Sequence, residues 1–311
     1  MGLYIFIIIF ASFVLVKSSH WVIKNLTYIA QYLHIPEFVV AFILAGFATS
    51  LPELFVGINS AFNQIPILSL GNVLGSNIAN LTLVLGLTII FTRGLKSENR
   101  IIQRNITYTL IILIYPLLLC LDGELSRTDG LALIVVFILY NIILFYQSKD
   151  FSKKFDRAKR KDLIKRIFFF FFSIGLLLFS AQLIVHFSQL IALELKISLF
   201  IVGLFLIAIG TSLPELAFGI RAVKEKQKDM ILGNILGSLA NNSSIVLGVT
   251  ALISPIIIQN TISLALSAGF LILVYFFFII FARSDKNISW REGFVLLFFY
   301  LAFIVAQFLL K

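Results

Sequence analysis

Long apolar runs alternate with short polar segments along the whole chain. The runs are about 17 to 25 residues long, the length that an α-helix needs to cross a hydrocarbon core of about 30 Å. The alternation of apolar and polar residues over about ten positions that marks a membrane β-barrel strand does not occur. We therefore predict an all-α polytopic membrane protein with ten transmembrane helices, at 2–24, 38–62, 66–92, 101–121, 129–147, 166–190, 197–223, 229–257, 261–283 and 292–310.

The composition supports a membrane location. Hydrophobic residues fill 60% of the 311 positions and charged residues 13%, and the mean hydropathy is +1.03. A soluble domain has about 25% charged residues. Cys120 is the only cysteine, which excludes an internal disulfide and a metal site built from several cysteines.

The basic residues predict the orientation, because Lys and Arg in short loops stay on the cytoplasmic side. With both termini outside, 22 of the 25 Lys and Arg residues fall in cytoplasmic segments, and only Arg127, Lys196 and Lys311 fall outside. The net charge of +10 then follows from topology and from contact with membrane lipid. We therefore expect no nucleic-acid partner.

Two sequence blocks recur at an offset of 162 residues. Ala48-Thr-Ser-Leu-Pro-Glu53 and Gly71-Asn-Val-Leu-Gly-Ser-Asn-Ile-Ala-Asn80 return as Gly210-Thr-Ser-Leu-Pro-Glu215 and Gly233-Asn-Ile-Leu-Gly-Ser-Leu-Ala-Asn-Asn242. Five spans per half place the copies in opposite senses, so we predict two inverted-topology five-helix repeats with a site near the midplane. The predicted units are 1–147, a basic cytoplasmic linker at 148–165, and 166–311.

Glu53 and Glu215 are the two acidic residues, among 15, that lie in the middle of a predicted span. A carboxylate at the centre of a bilayer costs at least about 2.5 to 3.5 kcal/mol. No Lys or Arg is predicted at a comparable depth. The missing counter-charge is therefore expected to be a bound cation.

Oxygen-bearing side chains surround each glutamate in the sequence. Pro52 and Pro214 precede the glutamates and should break the helix, which frees backbone carbonyl oxygens. Hydroxyl groups three and four residues before a glutamate lie on the same helix face. These hydroxyl residues are Thr49 and Ser50 in the first copy, and Thr211 and Ser212 in the second.

The second block of each copy adds a serine and an asparagine on one helix face: Ser76 with Asn80, and Ser238 with Asn242. The asparagines could ligate a cation, or they could only form hydrogen bonds between helices. The glycine pairs in these blocks have the spacing that lets helices pack closely, and packing is the role we expect for them.

The donor set predicts the ion. Carboxylate, hydroxyl, amide and carbonyl oxygens without His or thiol suit Ca²⁺ or Na⁺ and disfavour Zn²⁺ and copper. One Ca²⁺ or two Na⁺ would balance the two glutamate charges, so these ions should compete for the same oxygens. Competition at one alternating-access site produces exchange.

At these residues the sequence resembles the prokaryotic sodium/calcium exchangers of the Ca²⁺/cation antiporter superfamily. The resemblance covers essentially the whole chain: the ten spans, the paired motifs and the basic loop between the fifth and sixth spans. It implies Ca²⁺ between Glu53 and Glu215, with no cofactor and no enzymatic activity. It also implies that spans 1 and 6 slide across the other eight, in the plasma (inner) membrane of a prokaryote.

The resemblance further implies a set of ligands around the glutamates. Thr49 and Thr211 would assist Ca²⁺, and Asn80 and Asn242 would complete the central site. The flanking Na⁺ sites would use Ser50, Ser212, Ser76, Ser238 and the backbone oxygens of Gly46 and Ala208.

The chain departs from the family pattern at three positions. Ala48 stands opposite Gly210, and Leu239 stands opposite Asn77. Asn242 occupies a position where some relatives, including potassium-dependent ones, carry Asp. We therefore expect transport without a K⁺ requirement.

Three other functions remain open on the sequence. An H⁺/Ca²⁺ exchanger would protonate the same glutamates on its return step. A channel is disfavoured because paired glutamates on inverted halves would hold the ion and offer no evident pore. An enzyme using the carboxylates as an acid/base pair lacks a nucleophile or metal motif.

Overall fold

The computed structural model of the chain is built almost entirely from long apolar helices. It describes residues 2–32, 47, 49–96, 100–147, 162–224, 228–284 and 287–309. The helices before the midpoint are α1 Gly2–Tyr32, α2 Leu51–Phe62, α3 Ile67–Ala79, α4 Leu85–Thr92, α5 Arg100–Leu119 and α6 Arg127–Gln147. The later helices are α7 Leu163–Leu195, α8 Leu199–Val202, α9 Ala208–Thr211, α10 Leu213–Lys224, α11 Lys228–Asn241, α12 Leu247–Ile253, α13 Thr261–Arg283 and α14 Trp290–Leu309.

Three short π-helical turns join consecutive helices. Asn80–Val84 continues α3 into α4, Gly203–Ile207 continues α8 into α9, and Asn242–Val246 continues α11 into α12. A π turn holds one more residue than an α turn and is frequent at functional sites. The first and third π turns occupy equivalent positions in the two sequence repeats.

Nine membrane-length apolar segments occur within the described residues, and each overlaps one predicted span. The predicted span 38–62 is described only at 47 and 49–62, where α2 forms. Helices α1 and α7 have 31 and 33 residues and extend beyond the predicted spans, because helical hydrogen bonding continues past the apolar segment. Residues 163–165 of the predicted linker belong to α7, while 148–161 lie outside the described residues.

Four two-residue strands tie the helix connections together. Leu95–Lys96 pairs antiparallel with Asn287–Ile288, and Glu124–Leu125 pairs antiparallel with Ile256–Ile257. At the repeat offset of 162 residues, Leu95–Lys96 corresponds to Ile256–Ile257 within one residue. Glu124–Leu125 corresponds to Asn287–Ile288, also within one residue. The two strand pairs are therefore equivalent: each joins one strand of the first half to one strand of the second, and the repeat offset converts one pair into the other.

Two glycine–threonine contacts also join the halves in equivalent positions. A Cβ built on Gly57 would lie 2.5 Å from Thr250 Oγ1, and one built on Gly219 would lie 2.9 Å from Thr88 Oγ1. Gly57 and Gly219 are repeat equivalents, as are Thr88 and Thr250. The glycine of each half thus packs against the threonine of the other half.

Close packing of α3 against α8 and the π turn that follows it confirms the packing role of one glycine pair. A Cβ on Gly71 would clash with the carbonyl oxygen of Phe200, and one on Gly75 would clash with that of Leu204. The Gly233 position has no described atom within 4 Å of a built Cβ. The repeat equivalent of α8 lies at 37–40, outside the described residues.

Helices α1 and α7 pack along each other as a pair. At one end, Arg166 of α7 donates to Asn25 Oδ1 of α1 at 3.3 Å and stacks over the Tyr28 ring at 4.9 Å. The pair contacts the remaining helices mainly through α2 and the region of α8 and α9. Among the described residues, α1 and α7 therefore pack mainly on each other.

Gly71→Ala is expected to destabilise the protein, because the added methyl group forces α3 away from the backbone of α8. Overpacking of this kind costs about 1–3 kcal/mol. Gly269→Ala in α13 is the matched control, since a Cβ there meets no described atom within 4 Å. Thermal unfolding in detergent should give a lower midpoint for Gly71→Ala alone, and equal midpoints would contradict the packing.

Candidate cation site

The helix is interrupted immediately before each motif glutamate. Thr49 and Ser50 form a turn and α2 begins at Leu51, while α9 ends at Thr211 and α10 begins at Leu213 after a turn at Ser212. The proline is the second residue of each new helix, where its missing N–H is tolerated. The predicted breaks at Pro52 and Pro214 are confirmed.

Glu53 and Glu215 are completely buried, and three of their four carboxylate oxygens have no hydrogen-bond partner among the described residues. The remaining oxygen, Glu215 Oε1, accepts from Ser238 Oγ at 2.8 Å. The two carboxylates are close enough for their charges to repel each other. Removing such a pair from water is costly unless another charge compensates.

Hydroxyl groups from both halves of the chain lie beside each carboxylate. Glu53 is next to Thr211 and Ser76, neither of which makes a hydrogen bond to it. Glu215 is next to Ser238 and Thr49. Each glutamate therefore has the threonine of the opposite repeat as a neighbour.

Two asparagines hold these threonines, and our sequence reasoning did not assign them to the site. Thr211 Oγ1 donates to Asn72 Oδ1 at 3.1 Å, and Thr49 Oγ1 donates to Asn234 Oδ1 at 3.3 Å. Both asparagines are at most 3% exposed. Their recurrence directly after a motif glycine in both copies was the sequence signal that could have identified them.

Asn80 and Asn242 use their two amide ends differently. Asn80 Nδ2 donates to Ser238 Oγ at 3.3 Å, and Asn242 Nδ2 donates to Asn77 Oδ1 at 3.2 Å. The two Oδ1 atoms are buried and have no partner among the described residues. The amide nitrogens thus form interhelical hydrogen bonds, while the oxygens remain available to ligate a cation.

The predicted serines join the same cluster. Ser76 Oγ is 3.1 Å from Thr211 Oγ1, and Ser50 Oγ is 3.4 Å from Ser238 Oγ. Ser212 Oγ is buried and has no partner among the described residues. These contacts join eight of the ten predicted side-chain ligands into one region between the two halves. The other two are Ser212, whose hydroxyl has no partner among the described residues, and Asn242, which contacts Asn77.

The two predicted backbone ligands are a different case. Gly46 lies outside the described residues. The carbonyl oxygen of Ala208 accepts from Ser212 N at 3.0 Å and lies 3.4 Å from Thr211 Oγ1. Because a hydrogen bond already engages that oxygen, the geometry supports Ala208 less than it supports the side chains.

Buried oxygens without partners define the chemistry of the region. Among the predicted ligands they belong to Glu53, Asn80, Ser212, Glu215 and Asn242, and elsewhere in the described part of the chain to Asn105, Thr109, Ser188 and Tyr300. The same part contains no cluster of three or more His, Cys, Asp or Glu residues. Such a set fits a hard cation that prefers oxygen ligands.

Membrane-length helices around a buried, oxygen-rich polar cluster define a polytopic membrane protein of the kind that moves ions. The family model for sodium/calcium exchanger proteins matches residues 3–146 and 165–309. The chain belongs to this family of exchangers, which are antiporters.

Curated relatives match along most of the chain. An uncharacterized membrane protein of Methanocaldococcus jannaschii is 31% identical over 93% of this chain and 93% of its own length. The sodium/calcium exchanger MaX1 of Methanosarcina acetivorans is 28% identical over 94% of this chain and 95% of its own.

The solved structures agree with this assignment. The sodium-calcium exchanger NCX_Mj soaked with 2.5 mM Na⁺ and 0.1 mM Ca²⁺ has a TM-score of 0.67 and 28% identity. The match covers 97% of this chain and 98% of that one.

Ca²⁺ is expected to stabilise the purified wild-type protein against thermal unfolding, because it binds the folded site. At 100 times its dissociation constant, a ligand raises the free energy of unfolding by about 2.7 kcal/mol. Glu53→Gln should remove most of this gain, since it replaces a charged ligand by a neutral one. Glu124→Gln, at an exposed carboxylate, is the control, and equal Ca²⁺-induced shifts in the two variants would place the ion elsewhere.

Proposed function

We propose that the chain is a secondary active antiporter that exchanges Na⁺ for Ca²⁺ by alternating access at Glu53 and Glu215. The observation that carries this proposal is the set of buried carboxylate and amide oxygens without hydrogen-bond partners. Family membership supports it, as does the likeness to a sodium-calcium exchanger crystal soaked with Na⁺ and Ca²⁺.

Charge balance explains why the two ions would exchange. Two carboxylates carry two negative charges, which one Ca²⁺ or two Na⁺ neutralise. Because one cluster supplies the oxygens for either ion, occupation by one excludes the other. A carrier that reorients only when neutralised then couples the two fluxes in opposite directions.

The reciprocal contacts support an inverted repeat. Glu53 lies beside Thr211 and Glu215 beside Thr49, and the glycine–threonine contacts and strand pairs exchange the halves in the same way. Such reciprocity is expected of two similar halves related by a pseudo-two-fold axis. In our proposal this axis lies in the membrane plane, with both termini outside and the segment 148–165 in the cytoplasm.

Helices α1 and α7 are the elements that we expect to slide. They pack mainly on each other, and a pair of amides connects α7 to the end of α2. Asn63 Nδ2 donates to Gln182 Oε1 at 3.0 Å, and Gln182 Nε2 donates to Asn63 Oδ1 at 3.3 Å. Sliding would exchange this exposed polar contact for others at low cost.

The remaining assignments follow from the same proposal. Ser50, Ser76, Ser212, Ser238, Gly46 and Ala208 would serve flanking Na⁺ sites. The transported ions are Ca²⁺ and Na⁺, the surrounding partner is lipid, and the chain acts without a cofactor and without catalysing a reaction. Asn242 leaves two charged ligands at the centre, so K⁺ should not be required.

Flux into reconstituted vesicles tests the proposal. Vesicles loaded with Na⁺ and diluted into Na⁺-free buffer should take up ⁴⁵Ca²⁺, with the same rate whether or not K⁺ is present. Glu53→Ala and Glu215→Ala should reduce uptake to that of protein-free vesicles, because each removes a charged ligand. Glu124→Ala should transport like wild type.

The alternative outcome is equally specific. Uptake driven by a pH gradient, and indifferent to Na⁺, would replace the proposal with H⁺/Ca²⁺ exchange at the same glutamates. Uptake that needs K⁺ would contradict the role given to Asn242. Full uptake by both glutamate variants would remove the proposed site altogether.

A further inference from the structure

A relay of three polar side chains ends at one candidate ligand. Asn242 Nδ2 donates to Asn77 Oδ1 at 3.2 Å, and Asn77 Nδ2 donates to Ser243 Oγ at 2.9 Å. Asn77 and Asn242 are fully buried, and Ser243 is 2% exposed. The relay links α3 to the π turn that follows α11.

The relay has a direction, and the direction determines which end of Asn242 is left for an ion. An asparagine amide offers a donor at one end and an acceptor at the other, so rotation by half a turn exchanges them. In the structure Asn77 Oδ1 accepts from Asn242, while Asn77 Nδ2 donates to Ser243 Oγ. Asn242 therefore keeps its nitrogen on Asn77, which leaves Oδ1 buried and unpartnered among the described residues.

The repeat-equivalent positions do not form such a relay. At the repeat offset, Asn77 corresponds to Leu239 and Ser243 corresponds to Leu81, and the two leucines are fully buried. Asn80, the equivalent of Asn242, has only Ser238 as its acceptor, and Ser238 donates to Glu215. One asparagine is thus oriented by a dedicated pair, and its equivalent is held by a ligand residue.

We infer that Asn77, anchored by Ser243, is a positioning residue that orients Asn242 so that its carbonyl oxygen faces the cation. The inference rests on the proposed function, since it concerns the same site. Ca²⁺ takes six to eight oxygen ligands. Loss of the orientation would present an NH₂ group to Ca²⁺ for part of the time and weaken its binding.

A double-mutant cycle between residues 77 and 242 tests the inference by equilibrium binding of ⁴⁵Ca²⁺ to purified protein. Asn77→Leu, which gives the first half the residue already present in the second, should raise the dissociation constant about tenfold or more, as is typical when a partner of a metal ligand is lost. In the background of Asn242→Asp it should change the constant less than about twofold, because a carboxylate has an oxygen at either end.

Controls separate orientation from general damage. Thr82→Val removes a buried hydroxyl that bonds only within its own helix, to the Ile78 carbonyl, and should bind Ca²⁺ like wild type. Ser243→Ala removes the hydroxyl that accepts from Asn77. It should also raise the Ca²⁺ dissociation constant when residue 242 is Asn, and change it little when residue 242 is Asp. This variant tests the inference if Asn77→Leu does not fold.

The outcomes distinguish this inference from the proposal beneath it. Wild-type affinity in Asn77→Leu, or an equal loss in the Asn242 and Asn242→Asp backgrounds, would overturn the inference while leaving ion exchange intact. A wild-type protein that binds no ⁴⁵Ca²⁺ would overturn both.

Discussion

The structure depends on burying two carboxylates among apolar helices. In the described part of the chain, no basic side chain forms a hydrogen bond with either carboxylate. Glu53 and Glu215 are fully buried, and their charges repel each other when both carboxylates are ionised. Uncompensated burial of such a pair costs several kcal/mol per charge. Buried carboxylate and amide oxygens have no hydrogen-bond partner among the described residues, and in our proposal a cation completes this arrangement. Ion binding and the stability of this conformation would then be coupled.

The site belongs to neither half alone. Each glutamate lies beside the threonine of the opposite repeat, and each threonine is held by an asparagine of the opposite repeat as well. In our proposal, a relative displacement of the halves would therefore move ligands of the bound ion from both halves together. Gly71 makes close contact with the backbone of α8, and Gly75 with the backbone of the π turn that follows it, which holds part of this arrangement in place. In the described part of the chain α1 and α7 pack mainly on each other, and our proposal places the motion in this pair.

Features that recur in both halves, or that are unusual within a membrane span, could be predicted from the sequence. Glu53 and Glu215 stand out because a charge in mid-span needs a cause, and their prolines predicted the helix breaks. The extents of α1 and α7 were underestimated because hydropathy reports the apolar segment, whereas helical hydrogen bonds continue into polar residues. The contact of Asn77 with Ser243 could not be predicted, since neither residue recurs in the other half and only three-dimensional packing brings them together. The inverted orientation of the halves and the ligand set remain predictions.

Competition between the two ions for one set of oxygens is the central claim, and a binding titration tests it most directly. ⁴⁵Ca²⁺ bound to the purified protein at equilibrium should saturate at one ion per chain, and added Na⁺ should displace all of it with a dependence steeper than first order, since two Na⁺ are needed to replace one Ca²⁺. Choline at the same ionic strength should displace none. Ca²⁺ that stays bound at saturating Na⁺, or that Na⁺ and choline displace equally, would contradict the account.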